Sequence, residues 1–153
     1  MRVESAQRAN SSRRYVTYWD ASLVDNIARV RRGIPAKMLD TFAVDMRVPK
    51  EQVYEWARIS RATANRKLKA GDTLSLDESE RALGIARLIG QVEKIVTESG
   101  TDPTFNAALW TAEWLKRPNP ALGSKLPGEF LDTADGRALV SALVSQMQSG
   151  AYA

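Results

Sequence analysis

The spacing of apolar residues constrains this chain more than any other feature of its sequence. Apolar side chains recur every three to four residues, as on one face of an α-helix, and no segment alternates apolar and polar residues for long enough to predict a β-strand. Gly, Pro and capping residues divide these periodic stretches. Together they predict seven helices, near residues 20–32, 35–47, 50–57, 61–70, 76–98, 103–116 and 135–148. We therefore expect an all-α fold.

Two of the predicted helices have clear local signals. The first carries four apolar residues at the spacing of one helical face, namely Leu23, Val24, Ile27 and Val30. The longest opens at Ser75-Leu76-Asp77-Glu78, which has the pattern of a capping box. Gly84 and Gly90 lie inside that long helix and lower its propensity without breaking it.

The chain lacks both Cys and His among its 153 residues. Without Cys there is no disulfide, thiol nucleophile or Cys-ligated metal, and without His the usual general base near neutral pH is missing. Catalysis would depend on carboxylates such as Asp132 and Asp135, which sit where acids favour a helix N-terminus. We expect a protein that is not an enzyme and has no cofactor or metal.

The segments that would direct the chain to or through a membrane are absent from its sequence. The N-terminus is polar, and the apolar stretches are far shorter than the ~20 residues that cross a bilayer. We expect a cytoplasmic protein with no membrane partner.

Charge divides the chain into two unequal halves. Residues 1–70 hold fifteen Lys and Arg against seven Asp and Glu, whereas residues 71–153 hold seven against eleven. A basic half favours a polyanionic partner. Basic residues are densest in the segment RISRATANRKLK, residues 58–69, which has five of them and no acidic residue.

On a helix, Ala64 and Leu68 of this segment share the face that must point to the core. The short preceding helix, the tight connection at Arg58-Ile59-Ser60 and the basic segment together predict a helix-turn-helix. Arg58 stands where such a turn often has glycine. The alternative is a solvated basic face on a structural helix, and the uneven charge of the two halves favours DNA binding.

The outward face of the basic helix supplies the candidate DNA contacts. We expect Ala62 to permit close approach to the groove, and Arg66, with Asn65 or Thr63, to contact bases. The expected phosphate contacts are Arg61, Lys67 and Lys69. One such helix gives limited affinity, so we expect a homodimer that binds two half-sites.

The helix predicted near residues 103–116 is apolar on two faces, one of which holds Trp110 and Trp114. Aromatic residues are enriched at the centres of protein interfaces, so this second face is a candidate partner-binding surface. An equally good interpretation is that both Trp side chains close the core between the two halves of the chain.

A longer pattern begins at Trp114, where the string WLKRPNPALG, residues 114–123, is followed by Pro127, Leu131 and Gly136 and closes with Gly150 and Tyr152. This pattern resembles the toxin-binding domain of the MbcA/ParS/Xre antitoxin family. Residues 66–81 resemble the Xre-like helix-turn-helix of the same family. Ser124 and Lys125 depart from the family pattern, which is often richer in glycine there.

The resemblance implies an antitoxin of a type II toxin–antitoxin system whose partner is a RES-domain toxin that degrades or uses NAD+. It also implies that the last residues of the chain block the toxin's active site, a role that falls on Gly150, Ala151, Tyr152 and Ala153. The expected organisation is a flexible arm over 1–18, a helix-turn-helix domain over 19–100 that binds promoter DNA as an autoregulator, and a toxin-binding domain over 101–153. Tyr15, Tyr18 and Trp19 are candidates to attach the end of the arm to a core. The alternative is a stand-alone helix-turn-helix repressor whose C-terminal domain binds an effector or partner.

Overall fold

A computed structural model describes residues 15–100 and 104–148 of the chain. Within these two stretches it contains eight α-helices, two short 3-10 helices and no β-strand, so the predicted all-α fold is confirmed. The helices are α1 (Val16–Asp20), α2 (Leu23–Arg32), α3 (Lys37–Met46), α4 (Lys50–Ala57), α5 (Arg61–Ala70), α6 (Leu76–Glu98), α7 (Ala107–Leu115) and α8 (Ala134–Gln148). The 3-10 helices, Pro120–Leu122 and Pro127–Phe130, lie between α7 and α8. None of the helices in these stretches is long and apolar enough to cross a membrane.

Local capping sets the helix starts that the sequence indicates. The Ser60 side chain accepts a hydrogen bond from the Thr63 amide and begins α5, and the left-handed Gly71 ends it. Ser75 and Glu78 form the predicted capping box at the start of α6. The exception is α7, which begins at Ala107 behind an Asn106 cap rather than near residue 103, so Phe105 precedes the helix.

The long helix α6 organises the molecule. It packs against α1, α2 and α4 on the N-terminal side and against α7 and α8 on the C-terminal side. Fully buried side chains from both sides of α6 belong to one hydrophobic cluster, which includes Phe42, Leu39, Met46, Ile85, Ile89, Leu115 and Val140. The regions expected as two domains therefore share a single core.

The end of the expected N-terminal arm is part of the folded body. Tyr15 is buried, its ring stacks on Phe42, and the Val16 amide donates to Glu93 of α6. The end of the expected arm over 1–18 is therefore attached to the core through Tyr15, one of the aromatic residues that made this attachment a possibility, while residues 1–14 lie outside the described stretches.

The first predicted apolar face is the clearest departure from expectation. Helix α2 forms as predicted, but Leu23, Val24 and Ile27 are exposed and only Val30 of that set is buried. The side chain that joins Val30 on the inner face is Asn26, whose amide group donates to the Tyr18 carbonyl. Helical spacing therefore identified the helix but not the face that meets the core.

Candidate functional site

The face of α5 turned away from the core is basic and open to solvent. Arg61, Ala62, Asn65, Arg66 and Lys69 are all exposed, while Ala64 is fully buried on the opposite side. The helix contains no acidic residue. The structure thus brings five of the seven sequence-predicted DNA contacts onto one accessible surface, which we call the basic face (Arg61, Ala62, Asn65, Arg66, Lys69).

Thr63 lies at the edge of the basic face and is half-buried. Its hydroxyl accepts a hydrogen bond from the Ser60 hydroxyl at 2.9 Å, and its amide donates to the same Ser60 oxygen. Thr63 therefore takes part in the N-terminal cap of α5, which fixes where the basic face begins.

Lys67 departs from its expected role as an exposed phosphate contact. Its Nζ lies 2.6 Å from Oε1 of Glu78, and the two side chains are only 12% and 14% exposed. Burial tends to raise the pKa of Glu78, but hydrogen bonds from Lys67 and Ser75 outweigh it and hold this pKa below its usual value. The same oxygen accepts from the Ser75 amide in the capping box. Lys67 therefore joins α5 to the start of α6 instead of facing solvent.

The turn between α4 and α5 holds a left-handed residue that is not glycine. Arg58 has φ 52° and ψ 46°, which is the conformation that explains why glycine is common at this position. The turn is held from α6, because Arg81 Nε donates to the Ala57 carbonyl at 2.7 Å. Arg58 itself forms an ion pair with Asp132 at 3.3 Å. This pair connects the helix-turn-helix to the C-terminal region, and no sequence pattern indicates it, because its two partners are far apart in the chain.

The two carboxylates considered for catalysis, Asp132 and Asp135, lie near the start of α8. Asp132 pairs with Arg58, and Asp135 lies in the first turn of α8, where an acidic residue favours the helix dipole. Within the described stretches, there is no group of three or more side chains that could hold a metal ion.

Two tryptophans form a stacked pair on α7. The ring centroids of Trp110 and Trp114 are 6.0 Å apart with an interplanar angle of 10°, and Phe105 tilts against Trp110 at 6.5 Å. Both indoles are half-buried and pack against the core cluster. The stack is therefore partly covered by the core and partly exposed. The covered part fits the interpretation that the Trp side chains close the core, and the exposed part leaves a surface that a partner can contact.

The segment between α7 and α8 makes tight turns, as its Pro, Asn and Gly residues indicate. The Asn119 side chain accepts from the Ala121 amide at 2.9 Å, and Gly123 adopts a left-handed conformation. Gly128 lies against Trp56 of α4, where a Cβ would overlap the indole nitrogen. The segment thus packs onto the helix-turn-helix. The expected tail contacts Gly150, Ala151, Tyr152 and Ala153 lie outside the described residues.

Comparison with known proteins gives matches over nearly the whole chain. The Antitoxin Xre-like helix-turn-helix domain matches residues 25–87. The Antitoxin Xre/MbcA/ParS C-terminal toxin-binding domain matches residues 102–150. The chain is also similar to the Prs ADP-ribosylating antitoxin of Sphingobium sp. (strain YBL2), with 40% identity over 139 residues, which cover 91% of this chain and 87% of the relative.

Proposed function

Because this chain belongs to the Xre/MbcA/ParS antitoxin family and is an antitoxin with a helix-turn-helix and a toxin-binding domain rather than an enzyme, we propose that it neutralises a RES-domain toxin that consumes NAD+ and represses its own promoter. The observation that carries this proposal is the similarity to a curated antitoxin over 91% of the chain. A similarity of that extent includes both the DNA-binding and the toxin-binding parts.

The name of the relative refines the chemistry of the toxin. The relative is a Prs ADP-ribosylating antitoxin, and ADP-ribosylation takes its ADP-ribose from NAD+. We therefore favour a toxin that transfers ADP-ribose to a protein over one that only degrades NAD+. When purified toxin is incubated with NAD+ and with Prs, the protein named as the target in the relative's name, Prs should become ADP-ribosylated. Addition of this antitoxin should stop the transfer. Release of nicotinamide without modification of Prs would favour plain NAD+ degradation.

Neutralisation is proposed to depend on the C-terminal end of the chain. Helix α8 extends to Gln148, and the remaining residues 149–153 include the Gly150-Ala151-Tyr152-Ala153 tail. A glycine permits a sharp turn, and the Tyr152 phenol has a polar tip on an aromatic ring. The half-buried Trp110–Trp114 stack is proposed as a second toxin contact, because aromatic residues are enriched at the centres of protein interfaces.

Promoter binding is proposed to use the basic face of α5, with Arg61 and Lys69 on phosphates and Arg66 and Asn65 on base edges. Thr63 at the edge of this face is a further base contact, and Ala62 leaves room for close approach. Lys67 supports the helix through Glu78. Two copies of the chain would place two such helices on successive half-sites.

A truncation tests the neutralisation mechanism. Removal of residues 149–153 should leave a folded protein that binds promoter DNA with the affinity of the full chain but does not rescue cells from the toxin encoded with it. Alanine at Tyr152 alone is the milder variant and should weaken rescue. Full rescue by the truncated protein would refute the proposed block of the active site, and loss of DNA binding would show that the truncation had damaged the fold.

A further inference from the structure

A cleft of about 390 Å³ lies between helices α6 and α8, and none of the residues that line it belongs to the basic face of α5. Residues 80, 84, 87 and 91 form its α6 wall, since positions three or four apart share one face of a helix. Residues 134, 137, 138 and 141 form the α8 wall by the same spacing. The side chain of Trp19 lines the cleft from α1. We call this space the α6–α8 cleft (Trp19, Glu80, Gly84, Arg87, Arg137, Ala138).

The α6–α8 cleft is open at its middle because small residues line it there. Gly84 has no side chain, and the Arg137 side chain lies across it, with Cδ close to the place where a Cβ of residue 84 would stand. Ala138 is the next residue on α8 and contributes only a methyl group. Since Gly84 precedes Arg87 by three residues, the Arg137 side chain reaches α6 within about one helical turn of Arg87.

These two arginines of the cleft are not paired with carboxylates. In the part of the chain that the structure describes, neither Arg87 nor Arg137 has one within ion-pair distance. Arg87 Nε is shielded from water and has no hydrogen-bond partner there, and Cζ lies 5.6 Å from the centre of the Trp19 ring. Arg137 donates one hydrogen bond, to the Leu131 carbonyl at 3.1 Å. Both side chains are half-buried, so their remaining N–H groups can serve an anion in the cleft.

The charge of Arg137 is incompletely compensated inside the protein. Burial lowers the pKa of Arg137 from its ordinary value, although Glu80 and Asp132 act in the opposite direction. An anion in the cleft would therefore stabilise the charged guanidinium group. A phosphate group suits this place, because its oxygens can accept from two guanidinium groups at once.

Glu80 adds a carboxylate to the same stripe of α6. It precedes Gly84 by four residues, is exposed and forms no ion pair within the two described stretches. A carboxylate repels phosphate, but it accepts hydrogen bonds from the hydroxyl groups of a sugar, as acidic residues do for ribose in nucleotide sites. Glu80 and Arg87 are seven residues apart, or about 10 Å along the helix axis. The cleft thus combines cationic donors with an anionic acceptor a short distance away.

We propose that the α6–α8 cleft binds a phosphorylated sugar, with its phosphate on Arg87 and Arg137 and its hydroxyl groups on Glu80. A bare anion or an acidic peptide would use the two arginines but would be repelled by Glu80. The inference goes beyond the proposed function, because it involves neither the basic face nor the C-terminal tail.

Isothermal titration calorimetry of the full chain with ribose 5-phosphate tests the site, with ribose and inorganic phosphate as partial probes. Ribose 5-phosphate should bind at least about tenfold more tightly than either, because only it uses both ends of the cleft. Arg87→Gln and Arg137→Gln should each weaken its binding by about tenfold or more. Arg117→Gln is the matched control, because Arg117 is 73% exposed and does not line the cleft, and it should change nothing. Far-UV circular dichroism checks that each variant is folded.

Two further variants keep both arginines and test the position and the sugar contact. Ala138→Phe fills the cleft from an exposed position and should abolish binding. Glu80→Gln should weaken ribose 5-phosphate but strengthen inorganic phosphate, since it removes a repulsive charge and a hydroxyl acceptor together.

Several outcomes would overturn the proposal. Absence of ribose 5-phosphate binding at millimolar concentration, or full binding by Ala138→Phe, would rule out a ligand in this cleft. Inorganic phosphate that binds as tightly as ribose 5-phosphate would reduce the site to a general anion site. A hexaglutamate peptide that binds more tightly than ribose 5-phosphate would replace the sugar phosphate with an acidic protein segment.

Discussion

Lys67 Nζ lies 2.6 Å from Glu78 Oε1, so one lysine of the basic helix α5 is held by an acidic residue of α6. The ion pair is mostly shielded from water, and Glu78 also closes the capping box at the start of α6. The two neighbouring lysines of α5 therefore have different roles, since Lys69 is exposed and has no carboxylate within ion-pair distance in the described stretches.

The first prediction concerns stability. Lys67→Ala should lower the free energy of unfolding by about 1–3 kcal/mol, because it leaves the shielded Glu78 carboxylate without its ammonium partner. Lys69→Ala should change it by less than about 0.5 kcal/mol, as expected for an exposed residue. Urea unfolding of both variants measures the difference. Equal stabilities would mean that the Lys67–Glu78 pair contributes nothing to the fold.

The second prediction concerns DNA. Arg66→Ala should bring the affinities for promoter and scrambled duplexes closer together, because a base contact distinguishes sequences. Lys69→Ala should weaken both duplexes alike and reduce the slope of log affinity against log salt by about 1, as a phosphate contact does. Fluorescence anisotropy with both duplexes over a salt series reads the two effects. Equal losses on both duplexes for Arg66→Ala would remove Arg66 from sequence recognition.

Local signals in the sequence were sufficient for most helix boundaries and for the turn. Helix caps depend only on residues next to the helix end, so they can be predicted from the sequence. The caps at Ser60 and Gly71 and the Ser75–Glu78 capping box lie where the sequence indicates them. The left-handed Arg58 also follows from its position in the motif.

What the sequence did not reveal depends on contacts between distant segments. Lys67 and Lys69 look alike in the sequence, and only the position of α6 makes the first a scaffold residue. Likewise, the spacing of Leu23, Val24, Ile27 and Val30 identifies an apolar helix face, but only Val30 of that set is buried. The packing of α1 and α6 turns Asn26 inward beside it. The same holds for the Arg58–Asp132 pair, whose partners are far apart in the chain.

The third prediction concerns pH. Burial raises the pKa of Glu93 to about 7, against the lowering effect of the backbone hydrogen bonds from Val16 and Tyr15. The unfolded carboxyl titrates near its ordinary value of 4.5, so the folded state binds the extra proton between these two values. Stability from this group is therefore fully present below pH 4.5 and is lost as the pH rises through 7.

Glu93→Gln isolates that contribution, because glutamine stays neutral and its side-chain oxygen can still accept from Val16. As the pH rises from acidic to mildly alkaline, the wild type should lose the contribution of Glu93 and the variant should not. The difference in unfolding free energy, variant minus wild type, should therefore rise by up to about 3 kcal/mol. Urea unfolding at several pH values gives this difference. Parallel pH profiles for the two proteins would show that Glu93 titrates as an ordinary carboxyl.

The fourth prediction concerns the helix-turn-helix turn. Arg58→Gly and Arg58→Ala both remove the ion pair with Asp132, but only glycine adopts φ 52° without steric strain. The glycine variant should therefore be more stable than the alanine variant by about 1 kcal/mol. Denaturant unfolding compares them directly. An alanine variant as stable as the glycine variant would indicate that the turn relaxes from its left-handed conformation.

The last prediction uses the two glycines inside α6 as a matched pair. A Cβ at Gly90 would overlap the backbone carbonyl of Tyr15, which cannot move without detaching α1. A Cβ at Gly84 would instead meet Cδ of Arg137, a flexible side chain that can shift more easily than backbone. Both substitutions gain about 1 kcal/mol of helix propensity, so any difference between them reports on packing.

Gly84→Ala should accordingly leave the free energy of unfolding unchanged or raise it by up to about 1 kcal/mol. Gly90→Ala should lower it by about 1–3 kcal/mol and expose the Trp19 ring, because α1 has to shift away from α6. Tryptophan fluorescence and urea unfolding follow the two effects together. If Gly90→Ala were as stable as Gly84→Ala, the close approach of the Tyr15 carbonyl to Gly90 would not be what holds α1 against the core.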